Sequence, residues 1–381
     1  MSTIDPQLQG SSGLSLKSWE YAAAFADSLG SLPSSVTSTV RTLLTDFDKD
    51  PHAISHDAQF CLTRFLKSRS FQAPYFHAIS LFKPERLQPE DELFTPRDFI
   101  ESFSGPEHAL FTSLIFLHRQ ARRLSDEGLF DNATSWLQRS VNLGWMIGKS
   151  MKSVGPASAL LVASYKWLGV LPFVRHDPEG FKLYARHLRT KDFTSTDIDF
   201  EHDRWECTSS QIGIMLLQRM GFGTARLVPL MRATTTISPL PPSDPLERAY
   251  RAAEVWMRYL LERRSVPSIP LPPSFYLSPQ ELDAITTRLN SQIPGRVRSW
   301  LNCSKHDISP DTTPQLFAFK GSSSAIGADD VILPGQDLMD ELPSPAVLAE
   351  FGDAEEVDAL LEQPTNPGEP AAPVDNCLDN P

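Results

Sequence analysis

The sequence predicts an all-α protein, a bundle of about ten helices followed by a disordered acidic C-terminal tail. Apolar residues recur at helical spacing, whereas strand-like character is confined to two short stretches, 170–174 and 232–237. Four of the seven tryptophans lie between Trp136 and Gly223. Because large aromatic side chains dominate core energetics, this segment is the predicted core.

Charge divides the chain at residue 321. Residues 321–381 contain 14 acidic residues, eight prolines and no Lys or Arg, whereas the preceding 320 residues carry 35 basic and 33 acidic residues. A segment with so few apolar residues cannot offset its own ordering entropy, so we expect a disordered tail. The predicted organisation is a disordered arm at 1–16, a helical region at 17–100, a main helical domain at 101–320 and the tail.

Capping signals predict the helix boundaries. We expect Ser18 to cap the first helix and Asp131 to begin a later one. Pro156 is expected to start a helix that Gly169 ends, because proline suits the first helical position and glycine the C-terminal cap. The proline-punctuated stretch 74–96 predicts a loop and a subdomain seam.

Two start signals further along the chain are clearer. Asp177 is expected to cap a helix that begins at Pro178. Ser278-Pro279-Gln280-Glu281 has the pattern of a capping box. The linker 267–273 contains too many prolines for a helix.

Cysteine usage and the absence of targeting signals bear on location. The four cysteines (Cys61, Cys207, Cys303 and Cys377) have no CxxC or paired spacing, which favours free thiols in a reducing compartment. The N-terminus lacks the basic and apolar regions of a secretory signal. The sequence contains no run of about 18 apolar residues, so it predicts no membrane span. We therefore expect the nucleus, the cytoplasm or both, and no membrane partner.

No stretch has the pattern of a catalytic, cofactor or metal site. His52 and His56 have the spacing of a helical metal pair, but the glutamate of an HExxH motif is missing. The titratable residues at 201–207 suit a solvated helix edge or loop better than general acid–base catalysis. Gly221-Phe222-Gly223 follows a helix, as a C-terminal cap does, whereas a dinucleotide-binding loop follows a strand. We expect no enzymatic activity, no cofactor and no metal.

Phosphate contacts would have to come from short arginine groups. These groups are Arg119/Arg122/Arg123, Arg263/Arg264 and Arg296/Arg298. None of them lies in a helix-turn-helix, zinc cluster or basic region, so the sequence favours solvated helix faces over direct DNA binding. The sequence does not indicate whether the protein is a monomer or an oligomer.

The acidic tail contains a candidate partner-binding segment. Coiled as a helix, residues 347–361 would bring apolar side chains together at Leu348, Phe351, Val357, Leu360 and Leu361. An acidic activation segment that folds onto a partner groove has this appearance. A solvating tail with incidental apolar residues explains the pattern equally well.

The most distinctive short string is His176-Asp177-Pro178-Glu179-Gly180. It predicts a tight entry into a helix, in which Pro178 fixes φ and Gly180 allows close approach of a neighbour. Alternatively, His176 makes a pH-sensitive contact in a pocket.

This string resembles the signature of the mating-type 1-1-2 proteins of filamentous ascomycetes, whose shared region is named for its His, Pro and Gly residues. The matching residues are His176, Pro178 and Gly180. The flanking stretches WLQRSVNLGWMIGK and WECTSSQIGIMLLQRMGFG are similar to the same region. The likeness covers residues 105–235.

The resemblance implies a regulator of sexual development that acts in fertilisation and in fruiting-body and ascospore formation. It implies protein partners, other mating-type regulators among them, a role in transcriptional control and no enzymatic activity. Two alternatives stay open. One is a general fungal transcriptional co-regulator with an acidic activation tail. The other is an α-helical enzyme marked by a deep polar pocket near His176 or residues 201–207.

Overall fold

The computed structural model describes residues 15–51, 54–67, 69–86, 96–123, 127–190, 195–235, 242–262, 265–291 and 300–302. Within these residues the chain forms fourteen α-helices and no strand, which confirms the predicted all-α class. The helices are α1 (Leu16–Asp27), α2 (Ser34–Lys49), α3 (His56–Lys67), α4 (Arg69–Phe82), α5 (Pro96–Ser102), α6 (Gly105–Arg123), α7 (Glu127–Ser150), α8 (Pro156–His176), α9 (Pro178–Thr190), α10 (Ile198–Trp205), α11 (Ser209–Arg219), α12 (Thr224–Thr235), α13 (Pro245–Glu262) and α14 (Pro279–Ser291). Short 3₁₀ turns occur at Pro84–Arg86, Pro273–Phe275 and Trp300–Asn302. The predicted disordered tail and most of the predicted N-terminal arm lie outside the described residues.

Helix α8 lies at the centre of the bundle. Its neighbours are α1, α6, α7, α9, α11 and α13. Nearly every residue from Ala159 to Val174 is buried, as expected for a helix that is apolar all round. By length and composition α8 could cross a membrane, since its mean hydropathy reaches 1.5, but 83% of that apolar window is buried inside the protein. It is therefore placed as a core helix.

The prediction that Gly169 ends this helix was wrong. Helix α8 continues through Gly169 and Pro172 to His176, and the candidate strand 170–174 is helical. The glycine serves a close helix crossing instead. A Cβ at Gly169 would lie 2.7 Å from the amide nitrogen of Gly213 on α11 and would overlap a neighbouring carbonyl oxygen. The backbones of α8 and α11 thus approach where neither has a side chain.

Two helices contain interior prolines and differ from the sequence prediction. Helix α4 contains Pro74 where a loop was predicted, and α12 contains Pro229 and covers part of the predicted strand 232–237. A proline inside a helix costs about 3 kcal/mol through a lost hydrogen bond and a steric clash. Both prolines are buried, so tertiary packing offsets this cost.

Two predicted helix starts are shifted along the sequence. Ser15, rather than Ser18, caps α1 by accepting a hydrogen bond from the Ser18 amide. The Ser18 hydroxyl donates instead to Oε1 of Gln211 at 3.0 Å, which ties α1 to α11. Helix α7 begins at Glu127, one turn before the predicted Asp131. The hydrogen bond from Ser18 to Gln211 accounts for the difference at α1, and an additional first turn accounts for the earlier start of α7.

Other predicted boundaries are confirmed. Helix α8 begins at Pro156. Ser278 and Glu281 form the expected capping box, with the Ser278 amide donating to Glu281 at 2.7 Å. Gly221 closes α11 with φ +102°. The linker 267–273 contains no α-helix.

Arginines of the central helices satisfy the carbonyl groups that end the N-terminal helices. Arg219 donates to the carbonyls of Ala26 and Gly30, the latter at 2.7 Å. Arg175 donates to the carbonyl of Ser28. Arg226 bonds Asp48 at the end of α2 at 3.0 Å. Together these bonds hold α1 and α2 against the central helices.

A single cluster of buried apolar residues extends from Trp19 to Leu301. The domain boundary placed at residue 100 stays a prediction, and described residues on both sides of it share this core.

Candidate functional site

The segment that carries the family resemblance forms the corner between α8 and α9. Helix α8 ends at His176 and α9 begins at Pro178. Oδ1 of Asp177 accepts a hydrogen bond from the Gly180 amide at 2.9 Å and so caps α9 as predicted. Pro178 occupies the first position of α9, where its missing N–H is no loss.

Asp177 also ties this corner to α10. Its Oδ2 accepts from Nε of Arg204 at 2.8 Å and from the Trp205 indole at 3.1 Å. Burial by itself raises the pKa of Asp177, but the bonds from Gly180 and Arg204 outweigh it and hold that pKa below its ordinary value. The carboxylate therefore stays charged and links three helices.

Gly180 is placed where a side chain does not fit. A Cβ there would lie 2.6 Å from Cγ of Asp177 and 2.8 Å from Nε of Arg204. Such contacts are far closer than van der Waals separation. The glycine thus lets Asp177 and Arg204 pair directly above the first turn of α9.

His176 and Pro178 are exposed, whereas Gly180, the third matching residue, is buried. The His176 ring packs edge-on against Phe25 of α1, with the ring centroids 5.3 Å apart. Partial desolvation and the neighbouring Arg175 lower its pKa. The imidazole is therefore neutral near pH 7 and available for a surface contact.

Aromatic rings form the floor beneath the corner. Phe173 of α8 stacks on Trp205, with centroids 3.8 Å apart and 13° between the ring planes. Tyr184 of α9 meets Trp205 edge-on at 5.4 Å. Because all three rings are buried, the corner rests on a rigid layer.

A buried carboxyl group lies beside this layer. Glu201 is fully buried and accepts hydrogen bonds from the Tyr184 hydroxyl and from the amide and hydroxyl of Ser209, the amide at 2.7 Å. Burial raises the pKa of Glu201 to about 7, although these hydrogen bonds act in the opposite direction. Burial likewise raises the pKa of the hydroxyl of Tyr184.

The titratable string 201–207 does not converge on one site. Glu201 and Cys207 point inward, whereas His202 and Asp203 are exposed. The sequence indicated neither the burial of Glu201 nor its partners. Tyr184 and Ser209 lie in other helices, and only the fold brings them together.

A polar groove of about 350 Å³ lies next to α10. Helices α7, α8, α12 and α13 form its walls together with residues 195–199. Lys166 of α8 and Glu254 of α13 pair at its base, and the charge of Glu254 raises the pKa of Lys166 even though burial alone would lower it. The groove thus holds an ion pair between two core helices.

Hydrogen bonds connect the groove to the buried carboxyl group. Asp197 lines the groove and accepts from Phe200 at 3.1 Å, capping α10, while its other oxygen lies 2.8 Å from Nε2 of His187. The Asp197 amide donates to the Tyr184 hydroxyl at 3.0 Å, and that hydroxyl donates to Glu201. The groove therefore lies beside Asp197, whereas the enzyme hypothesis expected a polar pocket near His176 or residues 201–207, none of which line it.

The other candidates separate in space or cannot be placed. Arg119, Arg122 and Arg123 lie at the C-terminal end of α6, where Arg123 donates to Gln120 at 3.3 Å. His56 begins α3, while its partner His52 lies outside the described residues. Also outside them are Arg263, Arg264, Arg296, Arg298 and the tail residues Leu348, Phe351, Val357, Leu360 and Leu361. Among the described residues, no three His, Cys, Asp or Glu side chains are arranged to hold a metal ion.

The described residues define an all-α protein with a capped corner, a buried carboxyl group and a polar groove along one side of α8. Comparisons with protein-family models, with curated proteins and with solved structures each gave no match.

Proposed function

We propose that this protein is a mating-type regulator of sexual development that works through contacts with other proteins in the nucleus, the cytoplasm or both. One observation carries the proposal. The three stretches that resemble the mating-type 1-1-2 region lie in α7, at the α8–α9 corner and in α10–α11, and they pack around α8. Segments separated in sequence thus form one continuous core, as expected if they belong to a single family domain.

The buried and half-buried charged groups around α8 make structural contacts, which supports a role in binding other proteins rather than in catalysis. Asp177 pairs with Arg204, Lys166 with Glu254, and Glu201 is surrounded by donors. Each of these groups holds helices together, and a catalytic group instead needs access to a substrate atom. His176 and Pro178 are the matching residues that a partner can reach, because both are exposed.

Complementation of a strain lacking the gene tests the proposal. Wild-type protein should restore fertilisation, fruiting bodies and ascospores, and His176→Ala should reduce these counts while leaving protein level and unfolding temperature unchanged. His202→Ala is the matched control, because it removes another exposed histidine from α10, outside the matching residues. Normal sexual development in the strain lacking the gene would contradict the proposal.

Experiments on the acidic tail distinguish a mating-type regulator from a general co-regulator. Deletion of residues 321–381 should weaken reporter activation and affinity capture of partners from mating cultures. Equal partner capture from mating and vegetative cultures would favour the general co-regulator.

The groove favours a second candidate function, the binding or conversion of a small polar molecule. Its volume of about 350 Å³ lies within the range of known ligand sites. Native mass spectrometry of the purified full chain tests this candidate. A bound small molecule that is lost in Glu254→Gln would support it, and a ligand-free mass would contradict it.

A further inference from the structure

A proline-rich strap, residues 266–273, lies on the surface between α13 and α14. It contains Pro267, Pro270, Pro272 and Pro273 and no α-helix. Pro272 has φ −57° and ψ 147°, the polyproline II conformation. This conformation has no internal hydrogen bonds. The strap leaves it at Pro273, which begins the 3₁₀ turn Pro273–Phe275.

Two residues tie the strap to the protein. The Ser268 hydroxyl bonds the Tyr259 hydroxyl of α13. Three residues later, Leu271 packs against the core, and its amide donates to the Tyr276 hydroxyl at 3.1 Å. The contacts of Ser268 and Leu271 therefore hold the strap against the protein.

Residues on either side of Leu271 remain accessible to solvent. Pro270 and Pro273 are exposed, and Ile269 and Pro272 are partly exposed. These four residues form two pairs, Ile269-Pro270 and Pro272-Pro273, each an apolar residue followed by proline and separated only by the anchored leucine. Pro267 is buried, so the accessible PxxP unit is the one from Pro270 to Pro273.

The strap is held at its C-terminal end. The indole of Trp256 donates to the Phe275 carbonyl at 2.8 Å, and the Ser153 hydroxyl donates to the Ser274 carbonyl. A segment already fixed in its bound conformation loses little entropy on binding. The strap is thus organised before any partner arrives.

We propose that this strap docks into the aromatic-lined groove of an SH3-type domain on a partner protein. Such grooves bind PxxP segments in the polyproline II conformation and exploit its low conformational entropy. The contacts of Ser268 and Leu271 leave Pro270 and Pro273 exposed. The inference does not depend on the proposed role in sexual development, because it concerns a different surface.

The test measures binding of the full-length protein to the complete set of purified SH3 domains of its source organism, with the WW domains as a second probe. At least one SH3 domain should bind. The double substitution Pro270→Ala/Pro273→Ala should weaken that binding by at least about tenfold, equivalent to about 1.4 kcal/mol.

The matched control is Pro84→Ala/Pro245→Ala, which removes two exposed prolines outside the strap. It should leave the affinity unchanged. Unfolding temperatures of both double variants establish that the fold is retained, and Pro270→Ala alone repeats the test if the double variant is unstable. No SH3 binding, binding only to WW domains, or SH3 binding that survives the strap substitutions would overturn the proposal.

Discussion

Replacing the buried Glu201 with glutamine should change how stability depends on pH. Glu201 is fully buried, and its pKa is raised from 4.5 to about 7. Between these pH values the unfolded chain loses the proton while the folded protein keeps it. Because the folded state binds the proton more tightly, the free energy of unfolding falls as pH rises.

The magnitude follows from the pKa difference. One pKa unit corresponds to about 1.4 kcal/mol, so the wild-type protein should lose about 3 kcal/mol of stability from this residue between pH 4.5 and pH 7. Glu201→Gln keeps the shape of the side chain and cannot ionise. Its stability relative to wild type should therefore increase by about 3 kcal/mol over the same interval.

Urea denaturation of both proteins at intervals from pH 4 to pH 8 measures this difference. Glu20→Gln on the exposed side of α1 corrects for the loss of one negative charge. A difference between wild type and Glu201→Gln that does not vary with pH would refute the reasoning. A wild-type protein that gains relative stability with rising pH would show that the donors from Tyr184 and Ser209 outweigh burial.

Three further substitutions test the packing. Gly169→Ala should destabilise the protein by about 3 kcal/mol in urea denaturation, because its Cβ would overlap the α11 backbone. Gly223→Ala, which meets nothing within 4 Å, should stay within about 1 kcal/mol of wild type, and equal losses would contradict the close crossing. Gly180→Ala should cost about 2 kcal/mol by separating Asp177 from Arg204, and an unchanged denaturation midpoint would contradict that role. Arg219→Ala should speed hydrogen exchange in residues 16–30, whereas Arg186→Ala should not; equal protection in both variants would show that the carbonyl bonds do not hold α1.

Local signals in the sequence were sufficient for the fold class and for several helix ends. The helical spacing of apolar residues predicted the all-α class. Asp177 and the Ser278–Glu281 capping box act within one turn, so their roles followed from neighbouring residues. The same holds for Pro156 at the start of α8.

Tertiary packing decided the features that the sequence concealed. Gly169 looked like a helix end, because only the approach of Gly213 from α11 reveals why a glycine is needed inside α8. The stretch that begins at Pro74 was predicted to be a loop, because the burial that offsets the cost of a proline inside a helix is not visible in the chain.

In the candidate site, too, contacts between sequence neighbours were predictable and contacts between distant residues were not. His176, Pro178 and Gly180 stood out as a string, and their corner was predictable apart from its partner Arg204. Glu201 gained its environment from Tyr184 and Ser209, which lie in other helices. The groove is lined by residues of α7, α8, α12 and α13 and by residues 195–199, so no local sequence pattern could have indicated it.

Hydrogen exchange of the full chain, followed by mass spectrometry, tests the central claim that the bundle is built around one continuous helix carrying the corner. The amides that follow the first turn of this helix should be the most strongly protected in the chain, and the protection should continue past Gly169 and Pro172. Rapid exchange beginning at Gly169, or a corner at 176–180 that opens while the rest of α8 stays protected, would contradict the account.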